Sequence, residues 1–408
     1  MKRPEQTLIV QADRLIDGAG RPPLDHPTVV IRAGRIAAIL TGEPADLPAD
    51  AERIRLPGAT LVPGLIDCHL HLMGDQQIPP SEWARPPLAE LERKAARHAG
   101  EALRAGVTTV RDCGAVGDLV LDLRTAIDAG RTAGPHVWAC GNVITTPAGH
   151  GHFMGLEARG AAQVARAVEA LIERGADFIK VIASGGGGTP GTYPWDSQFS
   201  VEELRAAVET AHRRGRRVCA HAHSVAAIRN CLDAGVDTLE HATFITAEGP
   251  RFQPDLARRL ASAGAWVIPT IACYRNPITA GLSKTFIKKI GMQGMDFVEL
   301  HQRQVRQMLD AGVRVAGGTD GVQVGVGPAD IADEALYLGE VAGSALFGLR
   351  AVTALAAQAL GLEADRGTLE PGQRADMLAV RGDPLQDLRA LRRVERVFKD
   401  GQIIGETK

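Results

Sequence analysis

The chain holds 408 residues, 45% of them apolar and 23% charged, enough to bury a sizeable core. Its 46 basic residues against 48 acidic ones give a formal charge of −2, which removes the electrostatic case for nucleic acid or an anionic membrane as partner. The apolar runs are too short to span a bilayer, and the opening Met1-Lys2-Arg3-Pro4-Glu5-Gln6 has no apolar core of a secretory signal. The six cysteines show no paired spacing and lie mostly inside apolar runs, the pattern of reduced thiols in a cytoplasmic protein.

In chain order, short apolar runs at 8–10, 28–31 and 35–39, split by turn residues such as Asp17-Gly18 and Ala33-Gly34, predict a meander of strands. The far end repeats the pattern at 376–380 and 394–398, and Asp400-Gly401 predicts a hairpin into 402–404. Neither piece can bury a core alone, so residues 1–62 and 365–408 are expected to build one small β-sandwich domain. Between them, 63–364 alternates strands with amphipathic helices. Strands are expected at 61–72, 107–112, 137–144, 177–183, 217–223, 238–244, 266–271 and 314–320, and helices at 88–105, 161–175 and 201–215. Glycines at 106, 175, 215, 235 and 312 stand where helix ends are wanted. Eight strands alternating with helices predict an α/β chain with a (β/α)8 TIM barrel, which needs about 250 residues. No Gly-x-Gly-x-x-Gly follows an early strand, which argues against an open doubly wound sheet.

The chemistry gathers at the expected strand ends. Asp67-Cys68-His69-Leu70-His71 closes the first strand, and residues two apart on a strand face one side, so His69 and His71 can grip one ion together. Lys180 stands inside Phe178-Ile179-Lys180-Val181-Ile182 on the fourth. Either it points outward or pairs with a carboxylate such as Asp177 or Glu240, or burial depresses its pKa and leaves a neutral amine able to take up CO₂ as a metal-bridging carbamate. Cys219-Ala220-His221-Ala222-His223, Glu240-His241 and Gly317-Gly318-Thr319-Asp320 end the fifth, sixth and eighth strands. Each member alone reads as an ordinary polar residue. Together, imidazoles and a carboxylate at one mouth suit zinc and its first-row neighbours.

With these segments in view, the whole chain resembles the amidohydrolase superfamily, in its prolidase-like metal-dependent carboxypeptidase and imidazolonepropionase-like subgroup, which includes ochratoxin-hydrolysing amidases. Pro63-Gly64-Leu65-Ile66-Asp67-Cys68-His69-Leu70-His71 is similar to the opening motif of that family, and Lys180-Val181-Ile182-Ala183-Ser184-Gly185-Gly186 to its lysine strand. Ala234-Gly235-Val236-Asp237-Thr238-Leu239-Glu240-His241 and Gly367-Thr368-Leu369-Glu370-Pro371-Gly372 continue the match. The resemblance implies that His69, His71 and Asp320 hold one divalent ion and His221 and His241 a second, with a carboxylated Lys180 bridging two Zn²⁺. His223 stands where the family usually has a tyrosine thought to polarise the substrate carbonyl. Ala148-Gly149-His150-Gly151-His152 replaces a more usual His-Gly-Asp.

The expected reaction is hydrolysis of the amide of an N-acyl amino acid or dipeptide, Xaa-Pro dipeptides and ochratoxin-type amides included, by a metal-bridging hydroxide. A metal pair about 3.5–4 Å apart lowers the pKa of the bridging water and clamps the carbonyl oxygen. Asp320 is expected as general base and then acid, and His150 and His223 as donors to the oxyanion. Tyr274 and Arg275, after the seventh strand, are expected to read a substrate carboxylate. Gly185-Gly186-Gly187-Gly188 lacks the Gly-Lys-[Ser/Thr] of a phosphate cradle and is read as a lid or a close-approach loop. The competing readings are an ester or lactone hydrolase on the same metals, a mononuclear deaminase, which has no need of a bridging Lys180, and a non-catalytic scaffold. Partners are expected to be a small-molecule amide or dipeptide and further copies of the chain in a homo-oligomer.

Overall fold

The computed structural model describes residues 7–42, 51–282 and 284–405. The opening segment 1–6, which bears on targeting, and 43–50 and 406–408, within the expected terminal domain, lie outside the described residues. No helix among those described is long and apolar enough to cross a membrane.

Strands from both ends of the chain hydrogen-bond into one sheet, ordered Gln402–Ile404, Val394–Lys399, Met377–Arg381, Glu52–Pro63, Leu8–Leu15, Pro27–Arg32 and Arg35–Thr41. The two ends meet where Met377–Arg381 runs antiparallel to Glu52–Pro63, pairing Met377 with Pro63 and Arg381 with Ala59. Leu8, Val10, Ile31, Leu61, Met377 and Phe398 form the core of this union. The Asp400-Gly401 hairpin is present: Lys399 pairs with Gln402, and φ is 50° at Asp400 and 68° at Gly401. Two consecutive positive φ values are what a tight hairpin turn demands, and Asp-Gly tolerates them.

Between the ends the chain is α/β. Eight parallel strands are β1 (Leu65–Leu70), β2 (Val107–Asp112), β3 (His136–Ala139), β4 (Ile179–Ile182), β5 (Val218–Ser224), β6 (Thr238–Thr246), β7 (Trp266–Ile268) and β8 (Arg314–Val315). β1, β2 and β3 make one sheet, and β4 to β8 pair in order in another. Backbone hydrogen bonds join the two sheets at both seams. Asp177 N–H donates to Ala139 O at 2.9 Å between β3 and β4, while Cys68 N–H donates to Gly317 O at 3.1 Å and Asp320 N–H to His69 O at 2.7 Å between β1 and β8. Helices Leu88–Arg104, Ala161–Glu173 and Val201–Arg213 fall where the apolar spacing puts them, the last opened by a Ser200–Glu203 capping box.

Several expected strands differ in extent, among them 266–271, which ends at Ile268 before the helix Ile271–Thr279. The run 61–72 divides, because Gly64 leaves the terminal sheet against Thr108, whose Oγ1 would lie 2.1 Å from any added β-carbon. The run 137–144 breaks at Gly141, with Val143–Thr145 pairing beside β4 instead. In 314–320 only the first two residues are regular strand. The rest follows β1 through single hydrogen bonds and delivers Asp320 to the mouth.

Candidate metal centre

The C-terminal ends of the parallel strands open on a cavity of about 280 Å³. His69 from β1, His71 just beyond it, Lys180 from β4, His221 and His223 from β5, His241 from β6 and Asp320 after β8 all line it, with His150 from the loop beyond Val143–Thr145. The backbone is strained here: φ is 69° at His241 and 54° at Asp320, values that non-glycine residues adopt at a cost.

Each imidazole is fixed by one nitrogen. His69 Nδ1–H donates to Glu240 Oε2 at 2.7 Å and His71 Nδ1–H to Gly114 O at 3.0 Å. His223 Nδ1 bonds Thr243 Oγ1 at 2.9 Å, and His241 Nδ1 bonds Thr270 Oγ1 at 2.8 Å. Their Nε2 atoms are left for a ligand, the orientation that outer-shell bonds impose on metal-binding histidines. His221 is held the other way, with Nε2 3.4 Å from Gly185 O. Two sets of donor atoms converge within 4.8 Å: His69, His71 and Asp320 in one, His221, His223 and His241 in the other. Burial, and then neighbouring imidazoles, hold His221, His223 and His241 well below the ordinary histidine value, so they are neutral, as a ligating imidazole must be. Asp320 Oδ1 lies 3.4 Å from His69 Nε2 and 3.5 Å from His71 Nε2. Burial opposes its charge, but His71 and His69 outweigh it and keep the carboxyl far below its usual range.

Lys180 is 1% exposed and its Nζ has no hydrogen-bond partner. Both carboxylates expected to pair with it are committed elsewhere: Asp177 pairs with Arg124, and Glu240 lies between Arg111 Nη2 at 2.7 Å and His69. The expectation that burial depresses the Lys180 pKa is corrected. Desolvation does favour the free amine, but the Cys113 and Cys219 thiols and the Glu240 carboxylate outweigh it and hold the ammonium above its ordinary value. A buried lysine without a hydrogen-bond partner, in the cavity that both donor sets line, fits a site built for cations, where an anion formed on it would complete the ligands. All six cysteines are buried as free thiols.

Tyr274 lines the cavity, its ring packed 5.4 Å from that of Phe286. Arg275 does not, and its expected contact with a substrate carboxylate is corrected: the guanidinium pairs with Glu340 and lies 4.1 Å over the Tyr337 ring. The segment after β7 is the helix Ile271–Thr279, and adjacent helical residues point about 100° apart, so only one of the two faces the mouth. Sequence reasoning missed the cation that does stand there. Lys284 Nζ lines the cavity and bonds Gln323 Oε1 at 2.7 Å, and Gln323 Nε2 donates to Asp320 Oδ2 at 2.7 Å. It also missed Arg111, although a charged residue in an apolar strand was the signal used for Lys180. Of the aromatic residues, Phe153 lines the cavity, whereas Tyr193 and Trp195 stack on each other outside its lining. The four-glycine loop is a close-approach loop: a β-carbon on Gly186 would lie 2.5 Å from His150 Nε2 and one on Gly187 2.7 Å from Phe286 Cβ.

Residues 60–404 match the amidohydrolase family. The chain belongs to that family. Ochratoxinase of Aspergillus niger is 31% identical over 433 aligned positions, spanning 97% of this chain and 86% of the relative, and its crystal structure superposes with a TM-score of 0.85. A prolidase complexed with N-methylphosphonate-L-proline gives a TM-score of 0.87 at 26% identity, covering 98% of this chain and 100% of that one. A Xaa-Pro dipeptidase with methionine in its active site gives 0.85 at 27% identity with the same coverage. The amidohydrolase is accordingly a hydrolase of carbon–nitrogen bonds on a TIM-barrel-like α/β fold.

Proposed function

We propose that this amidohydrolase is a binuclear metal enzyme cleaving the amide bond of N-acyl amino acids or dipeptides, built as a closed barrel (63–364) with a β-sandwich from 1–62 and 365–408. The observation that carries the reading is the pair of converging donor sets in one cavity with the unpartnered Lys180. His69, His71 and Asp320 would hold one ion, His221 and His241 the other, and a carboxylated Lys180 both, zinc being favoured by imidazole-rich ligation. Such ions supply Lewis acidity to the scissile carbonyl and lower the pKa of a bound water.

The chain's own groups do the rest. Asp320, ionised and steadied by Gln323, accepts the proton from water and returns it to the leaving amine. His150 is held at about 4 by burial and is neutral at pH 7. The Thr189 hydroxyl accepts from Gly151 N–H at 3.1 Å and bonds His150 Nδ1 at 2.9 Å; with that hydroxyl as donor, the imidazole proton would sit on Nε2, facing the developing oxyanion. His223 is the second donor on this reading. Lys284 replaces Arg275 as the cation that reads the substrate carboxylate, while Phe153, Phe286 and Tyr274 wall the side-chain pocket.

The relatives named for ochratoxin and Xaa-Pro substrates define the test. Zinc-loaded protein is assayed on N-acyl amino acids, Xaa-Pro dipeptides, an ochratoxin-type amide, and lactones. Turnover of a free-carboxylate amide well above that of its methyl ester is expected. Turnover of lactones alone would overturn the substrate assignment.

A further inference from the structure

At the opposite end of the parallel strands stands a second convergence of donors. His136 opens β3, Asp376 precedes Met377–Arg381, and Asp400 turns the C-terminal hairpin. These three are remote in sequence, and the union of the strands with the terminal sheet brings them together. His136 Nε2 lies 3.3 Å from Asp376 Oδ2 and 3.3 Å from Asp400 Oδ2, and the donor atoms of all three lie within 4.8 Å of one another.

Neither contact is a hydrogen bond. His136 Nε2 and Asp376 Oδ2 are both buried without a hydrogen-bond partner, and the Asp376 side chain is only 4% exposed. The ring nitrogen stands equally far from the two carboxylate oxygens. The other carboxylate oxygens are occupied: Asp376 Oδ1 accepts from Asp400 N–H at 2.8 Å, and Asp400 Oδ1 from Arg374 at 2.5 Å. Arg374 is itself shared with Asp365 at 2.6 Å, and Lys399 is the other cation beside the two carboxylates. Tetrahedral ligands at zinc bond lengths of about 2.0–2.1 Å stand about 3.3–3.4 Å apart. The spacing at His136 is that distance, and it matches the 3.4 Å and 3.5 Å between Asp320 and the histidines of the candidate centre.

We propose that His136, Asp376 and Asp400 form a structural zinc site, separate from the catalytic centre, that staples β3 to the terminal sheet. One imidazole and two carboxylates fill three positions, and the half-open side at Asp400, 36% exposed, admits the ion and a water as fourth ligand. The ion would link three segments of the chain at their closest approach, so its binding free energy adds to their docking.

Full-length protein is stripped with chelator, reloaded with zinc, desalted, and its zinc counted per chain beside His136→Ala and Asp400→Asn treated identically. Asp400 has a φ of 50°, which asparagine accepts readily, so this second variant serves if His136→Ala fails to fold. Each folded variant is expected to hold one zinc per chain fewer than wild type, whatever number the main centre takes. Equal counts in wild type and variants would overturn the site and leave an ion-paired cluster in its place.

Discussion

Replacing Glu240 with glutamine preserves the shape of the side chain and removes one charge from the network behind His69. The two Glu240 oxygens serve two obligate donors, Arg111 Nη2–H and His69 Nδ1–H, each at 2.7 Å. An amide offers a single acceptor atom, so its NH₂ must face one of those donors. Arg111 is 3% exposed, and among the described residues Glu240 is its one ion-pair partner. Leaving such a charge unpaired costs about 3–5 kcal/mol, and loss of the outer partner of a metal-ligating histidine weakens metal binding about 10–100-fold. The first effect is read as a lowered urea midpoint of chelator-stripped protein at unchanged slope, the second by metal titration. The double variant Arg111→Leu/Glu240→Leu separates the two. Removing both charges should recover most of the stability, because an apolar pair in a buried ion pair's place is often neutral or better. Metal binding should stay weak, because His69 still lacks its anchor. A Glu240→Gln protein that unfolds at the wild-type midpoint, or a double variant with restored metal affinity, would refute the reasoning.

Lys180→Ala should lose metal and activity together, with partial rescue by short-chain carboxylic acids; a variant with two metals and normal turnover contradicts the bridging role. Asp320→Asn should keep at least one metal while turnover falls by several orders of magnitude, and near-normal turnover would show that the base lies elsewhere. His150→Ala and His223→Ala should each keep both metals and lower kcat by about 10²–10³, the usual loss for one oxyanion donor. A site emptied by His223→Ala but not by His221→Ala would exchange the roles of those two histidines. Glu334 accepts from Ile271 and Ala272 N–H, and burial lifts its carboxyl from 4.5 to about 8. Its contribution to stability is therefore complete below about pH 4.5 and is lost as pH rises towards 8. Urea midpoints of Glu334→Gln should gain on wild type from about pH 5 to about pH 8, and parallel curves would count against it.

How much of this was legible in sequence depended on whether a residue acts through its own strand or through a neighbour's. His69, His71, Lys180, His221, His223 and His241 lie on or beside strands, where period two and the C-terminal end of the strand fix the direction of the side chain, and the structure brings all six to one cavity. Arg275 failed because its segment is helical, and a helix separates adjacent side chains that a loop would have let act together. Lys284 and Gln323 were invisible for a related reason: each reaches the cavity from a connection whose path no periodicity predicts. The Lys180 pKa failed differently. Burial was read correctly, but the sign of the shift depends on which anions survive nearby, and Glu240 stays ionised against its burial because Arg111, Lys180 and His69 surround it. The same limit hid His136, Asp376 and Asp400. Each is an unremarkable polar residue beside a strand, and only the pairing of the two chain ends with the parallel strands makes them neighbours. Strand direction is therefore readable one segment at a time, whereas charge balance and ligand sets belong to the assembled fold.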